Sequence, residues 1–177
     1  MEDFLKTEEV NHVSESKELF DYYFKEREQA ESWTVHTEEP DKKISYKYVE
    51  GEPYVSIMYE CTVEAPIINT LNLFAELDHF VDWMPNMLDA KTLHTISNFS
   101  MMVQCRQSMP WPMAVRENVV LCTGMIDEKN KACLIVMKSF DDDRKEWFGK
   151  EIPKVVNGDV RMTIKRGYHY FQMISEE

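Results

Sequence analysis

The stretch Met109-Pro110-Trp111-Pro112-Met113-Ala114-Val115-Arg116-Glu117 joins two apolar runs through a bend framed by two prolines. Each proline fixes φ near −65° and removes a backbone donor, so the hydrogen-bonded ladder of a sheet is interrupted between them. On either side, residues 100–109 and 117–123 are rich in Val, Met, Cys and Leu and read as strands. A rigid bend with an indole at its apex implies a corner in which Trp111 is packed and Arg116 is aimed inward. A proline-kinked hairpin with an incidental tryptophan is the plainer alternative.

Working outward, residues 88–173 read almost entirely as strands: 90–96, 100–109, 117–125, 132–139 and 159–173, the last broken near Arg166-Gly167. A charged loop over 141–150 carries Trp147 and Phe148, and its length suggests a projecting lobe. Towards the N-terminus a helix opens at Glu64-Ala65-Pro66 and is stopped by Asp82-Trp83-Met84-Pro85. Before it lie strands at 34–38, 43–49 and 54–63. In the third, Val55, Ile57, Tyr59, Cys61 and Val63 alternate with Ser56, Met58, Glu60 and Thr62, the period of a strand with one buried face. A first helix over 16–33 carries a stripe of Leu19, Phe20, Tyr23, Phe24 and Ala30, followed by Trp33. Residues 1–15 are acidic and aperiodic and are expected to be a mobile lead-in. Helix, three strands, helix and a long antiparallel run define an α+β domain over 16–177.

With 20 Lys and Arg against 32 Asp and Glu, the net charge is −12. A chain this acidic is poorly suited to nucleic acid or to a polybasic membrane anchor. No apolar run approaches the ~20 residues needed to span a bilayer, and the first residues lack the pattern of a secretory signal. Cys61, Cys105, Cys122 and Cys133 sit singly in apolar runs, as small buried thiols of a reducing, cytoplasmic compartment. Eleven of the 12 methionines lie at or after Met58, and soft thioethers suit either an ordinary core or a cavity that adapts to its contents.

Signatures of catalysis are missing. The five histidines are scattered with no i, i+4 pair, so no metal is expected. There is no nucleophile elbow, phosphate-binding loop or dinucleotide fingerprint, and no cofactor is expected. Paired carboxylates lie in polar surroundings. Glu60 and Arg106, charged residues within strands, are expected to point outward on the polar face.

The order of elements together with Trp33, Asp82-Trp83-Met84-Pro85 and the 109–117 segment resembles a START domain, the StAR-related lipid-transfer family of the helix-grip superfamily. In that family a Pro-aromatic-Pro segment followed by an Arg-acid pair joins two central strands, here Pro110-Trp111-Pro112 with Arg116-Glu117. The resemblance covers roughly residues 17–175 and is nearest to the phosphatidylcholine-transfer-like branch. It implies a curved antiparallel sheet that closes on a long C-terminal helix around a tunnel for one phospholipid, sterol or fatty acyl lipid. Under that reading the buried alternates line the tunnel: Tyr59, Cys61, Val103, Cys105, Asn118, Val120, Cys122, Ile135 and Met137. Trp83, Pro110, Trp111, Pro112 and Arg116 are structural.

Two departures follow. The phosphatidylcholine-selective branch places aromatic residues where Cys105 and Asn118 stand, so an aromatic cage for choline does not carry over. The chain ends where the family adds two strands and the C-terminal helix, so the resemblance implies either a C-terminally incomplete domain or a cavity closed differently, for instance by a partner or a swapped element. The resemblance thus implies a non-enzymatic lipid carrier with transient membrane contact, loaded through loops near Trp147 and Phe148. A START-like scaffold without cargo is the alternative. A third, enzymatic reading could nominate only Arg106, Arg116 and Glu117, with Arg116 expected to hold a buried acid or carbonyl.

Overall fold

The computed structural model describes residues 7–29 and 32–175, so residues 1–6, 30–31 (with Ala30 of the expected helical stripe) and 176–177 lie outside the described residues. Two compact units emerge. One comprises Met1–Leu19 with Pro66–Glu177, the other Phe20–Ala65.

Helix α1 spans Glu8–Glu28. It begins well before Ser16, so residues 8–15, expected to be a mobile lead-in, form its first turns. The Thr7 hydroxyl accepts the Val10 N–H at 3.4 Å, and Glu8 and Glu9 place negative charge at the positive end of the helix dipole. Both signals are local and polar, and an apolar-stripe reading passes over them.

In the smaller unit, β1 (Thr34–Glu39), β2 (Lys42–Tyr48) and β3 (Val55–Cys61) form a three-stranded antiparallel sheet in the order β1-β2-β3. The alternation is present, but its burial is opposite to expectation. Ser45 on β2 is fully buried, and Lys47, on the same face, pairs with Glu26 of α1 and lies 4.9 Å from the Trp33 ring centroid. The other face carries Tyr46, Tyr48, Val55, Ile57 and Tyr59. It is largely open: Tyr48 is 82% exposed and Ile57 71%. Alternation tells which face is apolar. α1 lies on the face of Ser45 and Lys47, where Lys47 pairs with Glu26.

In the larger unit, α2 (Ile67–Ala75) follows Pro66 and ends at Glu76. A short 3-10 turn (Leu77–His79) and α3 (Phe80–Trp83) complete what the sequence presents as one helix. Then come β4 (Met87–Ser97), β5 (Ser100–Gln107), β6 (Arg116–Asp127), β7 (Ala132–Ser139), a small hairpin of β8 (Glu146–Trp147) and β9 (Lys150–Glu151), β10 (Val160–Arg161) and β11 (Gly167–Gln172). The sheet runs β11-β7-β6-β5-β4 with antiparallel neighbours, and β10 lies parallel beside β6. Residues 159–173 do divide near Arg166-Gly167, although the first half holds only the two-residue β10. Among the described residues no helix follows β11.

Each face of this sheet has its own apolar cluster. On one, Met102, Val119, Leu121 and Trp147 pack with Leu93, Ile96, Phe140, Phe148 and Ile152. His12 and Ser16 of α1 reach Ser100 and Thr123 on that face, which we call the α1 face. On the other, the α2 face, Leu77, Phe80, Met87, Ala90, Val103 and Val120 form the core, flanked by Phe74, Trp83 and Ile164.

Candidate functional site

Register decides which residues meet. Val103 pairs with Val120, Cys105 with Asn118, Cys122 with Met137 and Gly124 with Ile135. Directly paired residues project to the same side, and so do residues two apart on one strand. Val103, Cys105, Asn118, Val120, Cys122, Ile135 and Met137 therefore share the α2 face, seven of the nine positions nominated for a ligand. Tyr59 and Cys61 lie on β3 in the smaller unit and are exposed there.

The seven are not equally available. Val103 and Val120 are each 3% exposed and pack among Leu77 and Phe80, so the protein's own side chains already fill that part of the face. Cys105, Cys122, Ile135 and Met137 are half-buried. Next to them, α2 meets β11 in an aromatic cluster: the Phe74 ring centroid lies 4.9 Å from His169, 5.0 Å from Phe171 and 5.6 Å from Trp83. The Met137 side chain lies over Gly167, where an added Cβ would come within 2.7 Å of its Cγ.

Burial sets the protonation states on the α2 face. Burial pushes the Cys105 thiol up to about 11 and the Cys122 thiol up to about 12, so neither is a thiolate near neutrality. Burial also lowers the pKa of His169, which favours the neutral ring. Asn118 is 8% exposed, and among the described residues nothing hydrogen-bonds its side-chain amide. Among the described residues no group of three His, Cys, Asp or Glu is arranged to hold a metal ion.

The α1 face is held together by polar contacts. Glu117 is fully buried, with Oε1 2.7 Å from Arg161 Nη2. Arg106 donates from Nε to Asp159 Oδ2 at 2.7 Å, which corrects the expectation that Arg106 points outward. It was misplaced because its acid lies 53 residues away, beyond any local pattern. His12 Nε2 and Ser100 Oγ share a hydrogen bond of 2.7 Å, while Glu8 accepts the Phe148 N–H at 2.8 Å and pairs with Arg144. A polar cleft of about 430 Å³ on this side is lined by Asn11, Ser14, Glu15, Asp141, Asp143 and Arg144.

Two further expectations change, while Arg116 holds a carbonyl, one of the two partners expected of it. Trp111 is 92% exposed, so the bend presents its indole to solvent instead of packing it, with Met109 and Met113 exposed beside it. The Trp111–Pro112 peptide is cis. Trp147 is fully buried on the α1 face between His12 and Phe148, so its loop is a plug rather than a gate to the α2 face. Arg116 donates from Nη1 to the Ala114 carbonyl at 3.0 Å, while the buried acid beside it belongs to Arg161.

Comparison with known proteins agrees with this architecture. No family model matches the chain. Over 137 residues, 77% of its length, the chain is 26% identical to Rho GTPase-activating protein 7 of the dog, of which the match spans 12%. Human STARD10 superposes with a TM-score of 0.73 at 12% identity, over 88% of this chain and 60% of that one. The human StarD13 (DLC2) lipid transfer and protein localization domain superposes with a TM-score of 0.63 at 21% identity, over 86% and 76%. A STAR-related lipid transfer protein from Xanthomonas axonopodis gives 0.64 at 19% identity, over 82% and 75%. The fold is that of a START domain, α+β in the helix-grip arrangement.

Proposed function

We propose that the protein binds one hydrophobic ligand, a phospholipid, sterol or fatty acyl lipid, non-enzymatically against the α2 face. One observation carries the reading: seven positions nominated from three strands converge on one side of the sheet, within a fold shared with proteins described as lipid-transfer domains. With Val103 and Val120 under α2 and α3, the ligand rests on Cys105, Asn118, Cys122, Ile135 and Met137. Each methylene withdrawn from water gains about 0.8 kcal/mol, so a long acyl chain needs no covalent chemistry to be retained. Exposed Trp111, flanked by Met109 and Met113, gives the same unit an amphipathic tip for transient contact with a bilayer, since indole favours the interface of lipid and water. Four free cysteines suit work in the cytosol.

Purified protein measured by native mass spectrometry and extracted with organic solvent should yield about one lipid per chain. No lipid, together with no uptake of labelled phospholipid, sterol or fatty acid, contradicts the reading. The open face bearing Tyr48, Ile57 and Tyr59 favours a second reading, a scaffold whose apolar sheet docks a protein partner. That reading predicts a stable co-purified protein that shields these residues from hydrogen exchange or labelling, with no lipid in the extract.

A further inference from the structure

We infer that the ligand of the α2 face carries an anionic head, held by Arg116 and Asn118 at the start of β6. The inference rests on the reading of that face as the ligand-binding one. Arg116 and Asn118 project to the same side, and Gln107 stands directly across the ladder from Arg116. Position 120 continues the row under α2, and Cys122 and Met137 carry it on as apolar surface. Polar groups thus occupy one end of the row and apolar ones the rest, the layout of an amphiphile.

The charges point the same way. In a chain with a net charge of −12, acids are plentiful and the neighbouring arginines have found them: Arg106 holds Asp159, Arg144 holds Glu8 and Glu15, and Arg161 holds Glu117. Arg116 has only the Ala114 carbonyl, and among the described residues no carboxylate lies within ion-pairing distance of it. Two residues on, Asn118 is 8% exposed, and its side chain has no hydrogen bond among the described residues. A guanidinium fork lacking an acid and the N–H donors of the neighbouring Asn118 amide are both answered by one carboxylate or phosphate. Neither residue can move a proton at neutral pH, so the pair recognises and does not catalyse.

Titration calorimetry on the full chain with decyl phosphate, decanol and inorganic phosphate tests this. Decyl phosphate should bind at least about tenfold more tightly than decanol, the scale of one charge-assisted contact, and inorganic phosphate should bind far more weakly than either. Arg116→Gln should remove the preference by weakening decyl phosphate alone, and Arg116→Lys should restore part of it. Equal binding of the two amphiphiles by the wild-type chain, or equal weakening of both by Arg116→Gln, overturns the anionic head while leaving the ligand reading intact. Failure of both amphiphiles to bind overturns both. Inorganic phosphate binding as tightly as decyl phosphate overturns an amphiphile in favour of a free anion. Where Arg116→Gln does not fold, raising salt from about 0.05 to about 0.5 M on the wild type should weaken decyl phosphate and spare decanol. Indifference of decyl phosphate to salt counts against the inference.

Discussion

The two faces of the larger unit's sheet are made by the same strands, yet they have settled their polar groups differently. On β6, Glu117 points to the α1 face and has Arg161; its neighbour Asn118 points to the α2 face and has no hydrogen bond among the described residues. On β5, Arg106 has Asp159, while Cys105 beside it lies in half-buried apolar surroundings. The α1 face settles its charges within the chain, although His12 Nδ1, Trp147 Nε1 and Arg161 Nε stay buried there without a hydrogen bond among the described residues. On the α2 face it is a guanidinium, Arg116, that has a carbonyl and no acid among the described residues, which suits that face to receive an anion from outside.

The largest effects are expected on the α1 face. Arg161→Met leaves Glu117 buried and unpaired and should cost about 3–5 kcal/mol in denaturant unfolding. Trp147→Ala should cost about as much through the cavity it opens. Trp111→Ala removes the same kind of side chain from solvent and should change stability by less than about 0.5 kcal/mol. If Trp111→Ala proved as damaging as Trp147→Ala, the indole would have a partner in solution and the exposed tip would be wrong.

An intermediate effect, of opposite sign, is expected on the α2 face. Asn118→Leu should leave stability unchanged or raise it by up to about 1 kcal/mol, because an amide with no hydrogen bond to the chain among the described residues is replaced by an apolar group beside Cys105. A loss of stability instead would show that Asn118 already serves the fold.

Thiol labelling sharpens the contrast more finely. Exposed Cys61 should react with a disulfide reagent near pH 8 well before Cys105 and Cys122, whose thiols burial holds at about 11 and about 12. Prompt reaction of Cys122 would mean that the α2 face opens readily.

The smallest effect concerns His12. Burial lowers its pKa below the usual 6.5, with Arg144 acting in the same direction and Glu15 and Glu8 opposing. In the window between that lowered value and 6.5 the unfolded chain binds more protons than the folded one. Stability is therefore complete above 6.5 and declines as pH falls through the window. His12→Gln should flatten part of this decline, His169 supplying another part with the same sign. A steeper decline in the variant would reverse the assignment.

How much of this was legible follows from what each feature depends on. Strands and register-sharing positions were readable, since alternation is a property of the strand itself: residues 132–139 match β7, and the seven positions share one face. Contacts set by distant partners were not. Nothing near Arg106 announces Asp159, and nothing near Ser45 announces that α1 would cover its face rather than that of Ile57. The bend at 109–117 shows both limits. Its two prolines gave the break between β5 and β6, but whether Trp111 packs or protrudes depends on what surrounds it.

Photo-crosslinking addresses the central claim most directly. A long-chain fatty acid carrying a diazirine near its tail would be irradiated in complex with the full chain and its adducts mapped by peptide mass spectrometry. The account predicts adducts on Cys105, Cys122, Ile135 or Met137. Adducts confined to Tyr48, Ile57 and Tyr59, to the Trp111 bend or to α1 would contradict it.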